Sequence, residues 1–371
     1  MSKRPIRIRR TISRDRSRKS IVDKHKEQLS SRLRSVEMEL FNTLSSFSHV
    51  KSDINYIEGA IASVPSRLHK VRSQGYEVMS YLEKNQELLT SKWNETGSQI
   101  KEDYLYNIEP LRDEAKRIQS QISSVKSGIN RNDFGWVQNE LSTLSSDVSS
   151  LRSSASSEIN KASNSLKEFK SGFNALDNDL SFAEKTMQLA SQASFPWKEG
   201  ESPILALSAK MMTGEKPEGT FFLTNQRILF EGTKEEVLER KFFIATKKKT
   251  VRTLLLDQPI GVVKEMEGGT VSFWAGAGVY IRFKPESGVE EIPLDVKSEE
   301  VDLIKKWYNF INSGEAELEI EAIRGIAGKP SKKKPQVLTC PKCGASYTKE
   351  VYRGQTSVQC EYCGSVIPIE T

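Results

Sequence analysis

The chain of 371 residues lacks several features that would place it in a familiar class of protein. It has no run of about twenty consecutive apolar residues, so we expect no membrane-spanning helix. The N-terminus is charged and has no apolar segment behind it, which argues against a secretory signal. Phosphate-binding loops, HExxH motifs and recognisable catalytic triads are also missing. These absences predict a cytoplasmic or peripherally membrane-associated protein that is not an enzyme.

Cysteine is scarce, and all four cysteines lie in two CxxC pairs near the C-terminus. Cys340 and Cys343 are separated from Cys360 and Cys363 by sixteen residues, and a glycine follows each pair. Two such turns supply four thiolates for a tetrahedral zinc ion. The segment resembles a zinc ribbon over residues 338–368. It predicts one structural zinc ion, with no coordination position left open for hydrolytic chemistry.

The hydrophobic fraction, 37%, is low for one large globular core. A narrow apolar stripe explains the deficit, because steps of three and four residues from Leu33 to Leu89 land almost entirely on apolar side chains. Such a stripe must be buried against a partner helix. The sequence therefore predicts a coiled coil or helical bundle over residues 21–194.

Several positions interrupt this helical region. Pro65 predicts a kink or break in the helix. Gly75 predicts a second position of low helix stability, and Gly97 predicts a further break near residues 94–98. Residues 130–135 read as a turn, which favours folding back of the helices on either side. The first segment is compatible with folding back within one chain or with a homo-oligomeric stalk.

The net charge of +6 is unevenly distributed, because residues 1–20 alone carry +8. This segment has no usable hydrophobic period, so we expect a disordered basic arm that attracts anionic lipid or nucleic-acid phosphate. The alternative is a solvated tail. The basic-arm candidates are Arg4, Arg7, Arg9, Arg10, Arg14, Arg16, Arg18 and Lys19, together with Lys3.

Between residues 200 and 313, short strand patterns are followed by an amphipathic helix at Ser298–Asn312. Residues 219–230 read GTFFLTNQRILF, and residues 256–263 read LDQPIGVV. This segment resembles the GRAM and pleckstrin-homology-like (PH-like) domains. The resemblance implies a small seven-stranded antiparallel β-barrel or sheet capped by a C-terminal helix, in a family that binds membrane lipids or partner proteins.

A basic run within this segment is the candidate site for anions or lipids. Lysines at the rim of a sheet could contact several phosphates at once, whereas the alternative is a solvated hairpin whose charge protects an edge strand. The candidate residues are Arg240, Lys241, Lys247, Lys248, Lys249 and Arg252.

The fold class predicted is thus multidomain, first α and then mainly β. The predicted order is a basic arm (1–20), a coiled-coil or helical bundle (21–194), a GRAM/PH-like domain (200–313), a linker (314–337) and a zinc ribbon (338–371). We expect a scaffold or tether that uses the PH-like domain on a membrane lipid or protein and the ribbon on a protein partner. The alternative is a nucleic-acid-associated protein that uses the arm and the ribbon.

Overall fold

The structure, a computed structural model, describes residues 8–241, 244–272, 276–325 and 338–369. Side chains are described within residues 21–233, 251–271, 276–325 and 338–369. Three long helices come first, α1 (Ile8–Ser73), α2 (Tyr81–Arg131) and α3 (Phe134–Ala190). Within the described ranges, no helix is long and apolar enough to cross a membrane.

The described residues fall into two compact units. The bundle unit contains residues up to 63 together with 86–175, and the sheet unit contains residues 64–85 together with 176 onward. All three helices contribute residues to both units.

The bundle unit contains an apolar core cluster to which α1, α2 and α3 all contribute. Ion pairs on its surface join each pair of helices: Lys101 to Glu58 at 2.7 Å, Arg117 to Asp147 at 3.0 Å, and Lys170 to Asp53 at 2.6 Å. The core residues are Leu29, Leu33, Val36, Leu40, Ala115, Ile118, Ile122, Val125, Ile129, Val137, Leu141, Leu144, Val148 and Leu151. The apolar stripe of α1 is therefore covered by helices of the same chain, as in the fold-back alternative.

The turn predicted at 130–135 is present, because α2 ends at Arg131 and α3 begins at Phe134. The helix α1 runs through Pro65 and ends just before Gly75, whose φ is +96°. The break expected at 94–98 is absent, since α2 is continuous there. A Cβ on Gly97 would lie 2.6 Å from the indole of Trp93, so this glycine makes room for a buried tryptophan.

We expect Leu144→Ala to destabilise the bundle unit by about 2–5 kcal/mol, because Leu144 is fully buried and its removal leaves a cavity. Phe41→Ala is the control, since Phe41 is 68% exposed, and its effect should stay within about 0.5 kcal/mol. Chemical denaturation followed by circular dichroism at 222 nm measures both. Equal midpoints for the two variants would contradict the core described here.

The sheet unit contains one seven-stranded antiparallel sheet with the order β4-β3-β2-β1-β7-β6-β5. The strands are β1 (Pro203–Met211), β2 (Glu218–Thr224), β3 (Arg227–Lys241), β4 (Ile244–Pro259), β5 (Val263–Ser272), β6 (Gly276–Phe283) and β7 (Glu291–Asp295). The predicted closed barrel is wrong. Closure requires the two edge strands to pair, but β4 pairs only with β3 and β5 only with β6 among the described residues.

The hairpin formed by β3 and β4 extends beyond the rest of the sheet. The pairing of β2 with β3 stops at Gly219 and Gly232, whereas β3 and β4 remain paired as far as Lys241 and Ile244. Residues 233–241 and 244–252 therefore form a two-stranded projection, which we call the β3–β4 arm. Its backbone is described throughout these ranges.

Two helices follow the sheet, α4 (Ser298–Asn312), with the predicted bounds, and α5 (Glu315–Ile323). The buried face of α4 includes Ile304, Trp307 and Ile311, and this helix contacts β5, β6 and β1. The Trp307 indole stacks on Phe182 of α3, with ring centroids 5.7 Å apart. The sheet is thus covered by α4 and by the end of α3.

The turn between α1 and α2 also belongs to the sheet unit. The Arg72 guanidinium donates hydrogen bonds to the carbonyl oxygens of Tyr76, Val78 and Met79 at 2.7–3.0 Å and pairs with Glu83. Tyr76 is fully buried, and its hydroxyl lies 3.4 Å from the Ile204 carbonyl of β1. This arginine satisfies carbonyl groups of the turn itself, which has no regular backbone pairing of its own.

Candidate metal centre

The four cysteines form a compact cluster in the C-terminal module. The Sγ atoms of Cys340, Cys343, Cys360 and Cys363 all lie within 4.8 Å of one another. Cys340 Sγ is 3.6 Å from Cys363 Sγ, and Cys343 Sγ is 3.5 Å from Cys360 Sγ. The two CxxC pairs, distant in sequence, therefore share one site.

Each CxxC pair is folded into the same tight turn, which we call a knuckle. Gly344 N donates to the Cys340 carbonyl, and Gly364 N donates to the Cys360 carbonyl, both at 2.9 Å. These glycines have φ values of +73° and +70°, which L-residues with a side chain rarely adopt. The glycine after each pair is thus required by the turn that presents both sulfur atoms.

The donor set fits zinc. Ligands at about 2.3 Å around a tetrahedral zinc ion are separated by a little under 4 Å, close to the separations of 3.5 and 3.6 Å found for two of the sulfur pairs. Four thiolates also match a structural site, in which the protein fills every position. These four cysteines could hold a metal ion, and a set of four thiolates suits zinc.

Ser365 is a part of the centre that the sequence did not indicate. Its hydroxyl lies 3.1 Å from Cys340 Sγ and 2.9 Å from Cys363 Sγ, and so contacts one cysteine from each pair. The hydrogen bond from Ser365 lowers the pKa of the Cys340 thiol to about 6 and also lowers the pKa of Cys363. A hydroxyl directly after the second knuckle, in the sequence CGS, is the signal that could have identified it.

The module has a small apolar centre beside the cysteines. Val358 and Ile367 are buried there, on the paired strands β8 (Ser357–Gln359) and β9 (Val366–Pro368). Both strands belong to the second knuckle, and the first contributes only the bridge between Thr339 and Ser346. Among the described residues of this module, the paired strands thus flank the second CxxC pair and not the first.

The basic candidates of the sheet lie in the β3–β4 arm. The backbone register places Glu236 opposite Lys249 and Glu239 opposite Lys247, so two lysines of the basic run lie across from acidic residues. The side chains of Arg240, Lys241, Lys247, Lys248 and Lys249 lie outside the described residues. Their positions along the arm are those of the backbone register.

Arg252 has a structural partner. Its guanidinium donates to Gln192 at 2.8 Å and pairs with Glu231 at 3.2 Å. Glu231 is 1% exposed and also accepts a hydrogen bond from the Ser194 amide at 2.7 Å. Arg252 therefore compensates a buried carboxylate, a role distinct from the anion contact predicted for it.

The basic arm of residues 1–20 is described only in part. Arg4 and Arg7 lie outside the described residues. Helix α1 begins at Ile8, so the backbone of residues 8–20 is helical, which differs from the expected disorder. Adding residues to an existing helix costs far less than nucleating one. The side chains of Arg9, Arg10, Arg14, Arg16, Arg18 and Lys19 are not described.

The LTN sequence at 223–225 stabilises the hairpin between β2 and β3 through side-chain hydrogen bonds. Thr224 Oγ1 accepts hydrogen bonds from the amides of Gln226 and Arg227 at 3.1 and 2.7 Å. Asn225 Oδ1 accepts from the Ser202 amide at 2.8 Å. These polar side chains tie the hairpin to the segment that enters β1, so they serve the fold rather than a ligand.

Arg227 is the centre of a buried ionic cluster. Its side chain is 4% exposed and pairs with Glu201, which is fully buried, at 2.7 Å. It also pairs with Asp257 at 2.8 Å and donates to the Pro196 carbonyl at 3.0 Å. Burial alone would lower the pKa of Arg227, but the hydrogen bond and charge of Glu201 raise it above its ordinary value.

No protein-family model matches the chain. No curated protein matches it either. Among the solved structures, nine chains match, including one titled "Autoinhibited Vav1", with 10% sequence identity and a TM-score of 0.23. That alignment covers 93% of this chain, which spans 64% of the length of the other. A similarity at this TM-score carries no argument about fold or function.

Proposed function

We propose that the protein is a non-enzymatic scaffold in which the helices act as a spacer, the PH-like sheet domain binds an anionic membrane surface, and the ribbon binds a protein partner. The observation that carries this proposal is the β3–β4 arm, which projects from the sheet and concentrates positive charge toward its turn.

Positive charge without an acidic partner lies toward the turn of the arm. The register places Lys249 and Lys247 opposite Glu236 and Glu239, whereas Arg240, Lys241 and Lys248 lie opposite uncharged residues. Basic residues near an anionic bilayer each contribute about 1 kcal/mol to binding. The end of the arm farthest from the sheet is therefore the part best suited to a layer of lipid phosphates.

The metal centre favours a non-catalytic role. Zinc held by four thiolates has no open position for water or substrate. Among the described residues, the four cysteines form the only group of three or more histidine, cysteine or acidic side chains close enough to hold an ion. The non-enzymatic assignment rests on this and on the absence of catalytic sequence motifs.

The decisive experiment measures binding of the full chain to vesicles of phosphatidylserine and phosphatidylcholine over a salt series. We expect Lys247, Lys248 and Lys249 changed together to Gln to weaken vesicle binding about 100-fold, from about 1 kcal/mol for each basic residue. The matched control changes three bundle lysines to Gln, Lys116, Lys126 and Lys161, which are 56–75% exposed.

Duplex DNA and a chain lacking residues 1–20 complete the design. Loss of vesicle binding in the arm variant, with retention in the bundle control, supports the proposal. If the chain binds no vesicles with or without residues 1–20 but binds DNA in both forms, the membrane role fails and the nucleic-acid alternative replaces it.

A further inference from the structure

The loop between the two knuckles of the ribbon contacts the β-sheet domain within the sheet unit. We call residues 352–354 the docking loop. The surface that receives it comes from separate elements: Lys198, the β2–β3 turn at Gln226, the 3-10 turn Ile260–Val262, Lys284 and the junction of α4 with α5. We call this surface the docking cleft.

Backbone hydrogen bonds join the two sides. Gly261 N donates to the Arg353 carbonyl at 3.1 Å, and Lys198 Nζ donates to the Gly354 carbonyl at 3.3 Å. Two consecutive carbonyl groups of the loop are thus bound by the sheet domain. Backbone contacts of this kind depend on the conformation of the loop.

Side chains add charge complementarity. The Arg353 guanidinium donates to the Ile311 carbonyl in the last turn of α4 and pairs with Glu317 in the first turn of α5. A cation is favoured at a helix C-terminus, where carbonyl groups lack intrahelical partners. Lys284 Nζ lies 4.2 Å from the centroid of the Tyr352 ring, a cation–π contact.

Glycines on both sides allow the close approach. A Cβ on Gly354, whose φ is +83°, would lie 1.8 Å from the Gln226 carbonyl oxygen. A Cβ on Gly261 would lie 2.5 Å from Arg353 N. The φ of Gly261 is outside the left-handed region, so its lack of a side chain serves the contact with the loop and not its own backbone conformation.

The loop is held at its two ends by cysteines of the metal centre. Cys343 precedes it and Cys360 follows it, so the four-thiolate cluster closes a sixteen-residue segment that contains the docking loop. A module of this size has little core and depends on its metal for folding. The shape that fits the docking cleft therefore depends on the metal site.

From these contacts we propose that the docking cleft is a binding site for the ribbon's own loop. Metal binding by the four cysteines fixes the conformation in which the loop fits the cleft. The ribbon is therefore docked on the sheet domain only when it holds zinc. Coupling between two equilibria is reciprocal. Docking therefore raises the affinity for zinc as much as zinc favours docking. This inference does not depend on which surface or partner the sheet domain binds.

Gly261→Ala in the full chain is the test. The added methyl group blocks the cleft, the sequence of the ribbon stays unchanged, and the backbone of residue 261 needs no strained conformation. We expect it to weaken zinc affinity about 10-fold, within the usual range of coupling between sites, when measured by competition with a chromogenic chelator. Gly135→Ala is the matched control, since a Cβ there meets no atom within 4 Å, and its zinc affinity should be unchanged.

Hydrogen exchange at the Gly261 amide reports directly on docking, because this amide donates to the Arg353 carbonyl of the loop. In the wild-type chain this amide should exchange at least about 10-fold faster after zinc is removed, while amides within the β1–β2 pairing keep their rates. Equal zinc affinity in Gly261→Ala and wild type would overturn the proposal. So would an exchange rate at Gly261 that is independent of zinc. Failure of vesicle binding would leave both results untouched.

Discussion

Cys360→Ser should abolish stoichiometric zinc binding and unfold the ribbon, while the helices and the sheet stay folded. Its Sγ atom lies 3.5 Å from Cys343 Sγ, and serine offers a poor ligand in its place. Zinc-binding energy is also folding energy in so small a module. After dialysis against a chelator, atomic absorption should find one zinc per wild-type chain and none per Cys360→Ser chain.

Ser357→Ala is the control for this change, because Ser357 is an exposed residue of β8 away from the sulfur cluster. It should keep one zinc per chain. Far-ultraviolet circular dichroism should show the same helical signal for both variants. A Cys360→Ser chain that still binds one zinc at wild-type affinity, or that loses its helices, would contradict the separate folding of the ribbon.

The metal centre was predictable because its signal is local. Spacing alone places Cys340 with Cys343 and Cys360 with Cys363, and four thiols in two such turns have few other uses. The docking loop left no such signal, since Arg353 and Gly261 are brought together only by the fold. Ser365 lies between these cases: it is adjacent to the second knuckle, but its role appears only when both knuckles are assembled.

Helix interruptions show why single residues predict local breaks poorly. Gly97 reads as a breaker, yet it lies in a continuous helix where it accommodates Trp93. Pro65 likewise lies inside α1. Tertiary packing of the apolar stripe outweighs local propensity at both positions. The closed barrel failed for a related reason, because strand patterns do not specify whether two edge strands will pair.

Arg227→Met should destabilise the sheet unit by about 3–5 kcal/mol, because it leaves the carboxylate of Glu201 buried without its cation. The Glu201 side chain is fully buried, and its remaining hydrogen bonds come from Thr224 and the Lys198 amide. The measurement is the denaturant midpoint of the sheet, followed through tryptophan fluorescence, with Trp197 and Trp307 as reporters in this unit. A midpoint within error of wild type would show that the cluster is dispensable.

Arg282→Met is the matched control, since Arg282 contacts three acids, Glu265, Glu267 and Glu291, but its side chain is 39% exposed. Solvent screens such a surface network, so its loss should leave the midpoint nearly unchanged. Removing both members of the buried pair, as Arg227→Met with Glu201→Leu, should recover part of the loss, because no uncompensated charge is then left inside. Recovery in this double variant would separate the cost of an orphaned carboxylate from the value of the ion pair. It would also identify Arg227, the arginine of the LTNQR sequence, as a residue that joins the hairpin to the segment preceding β1. Arg227 would then not be a residue that recognises a ligand.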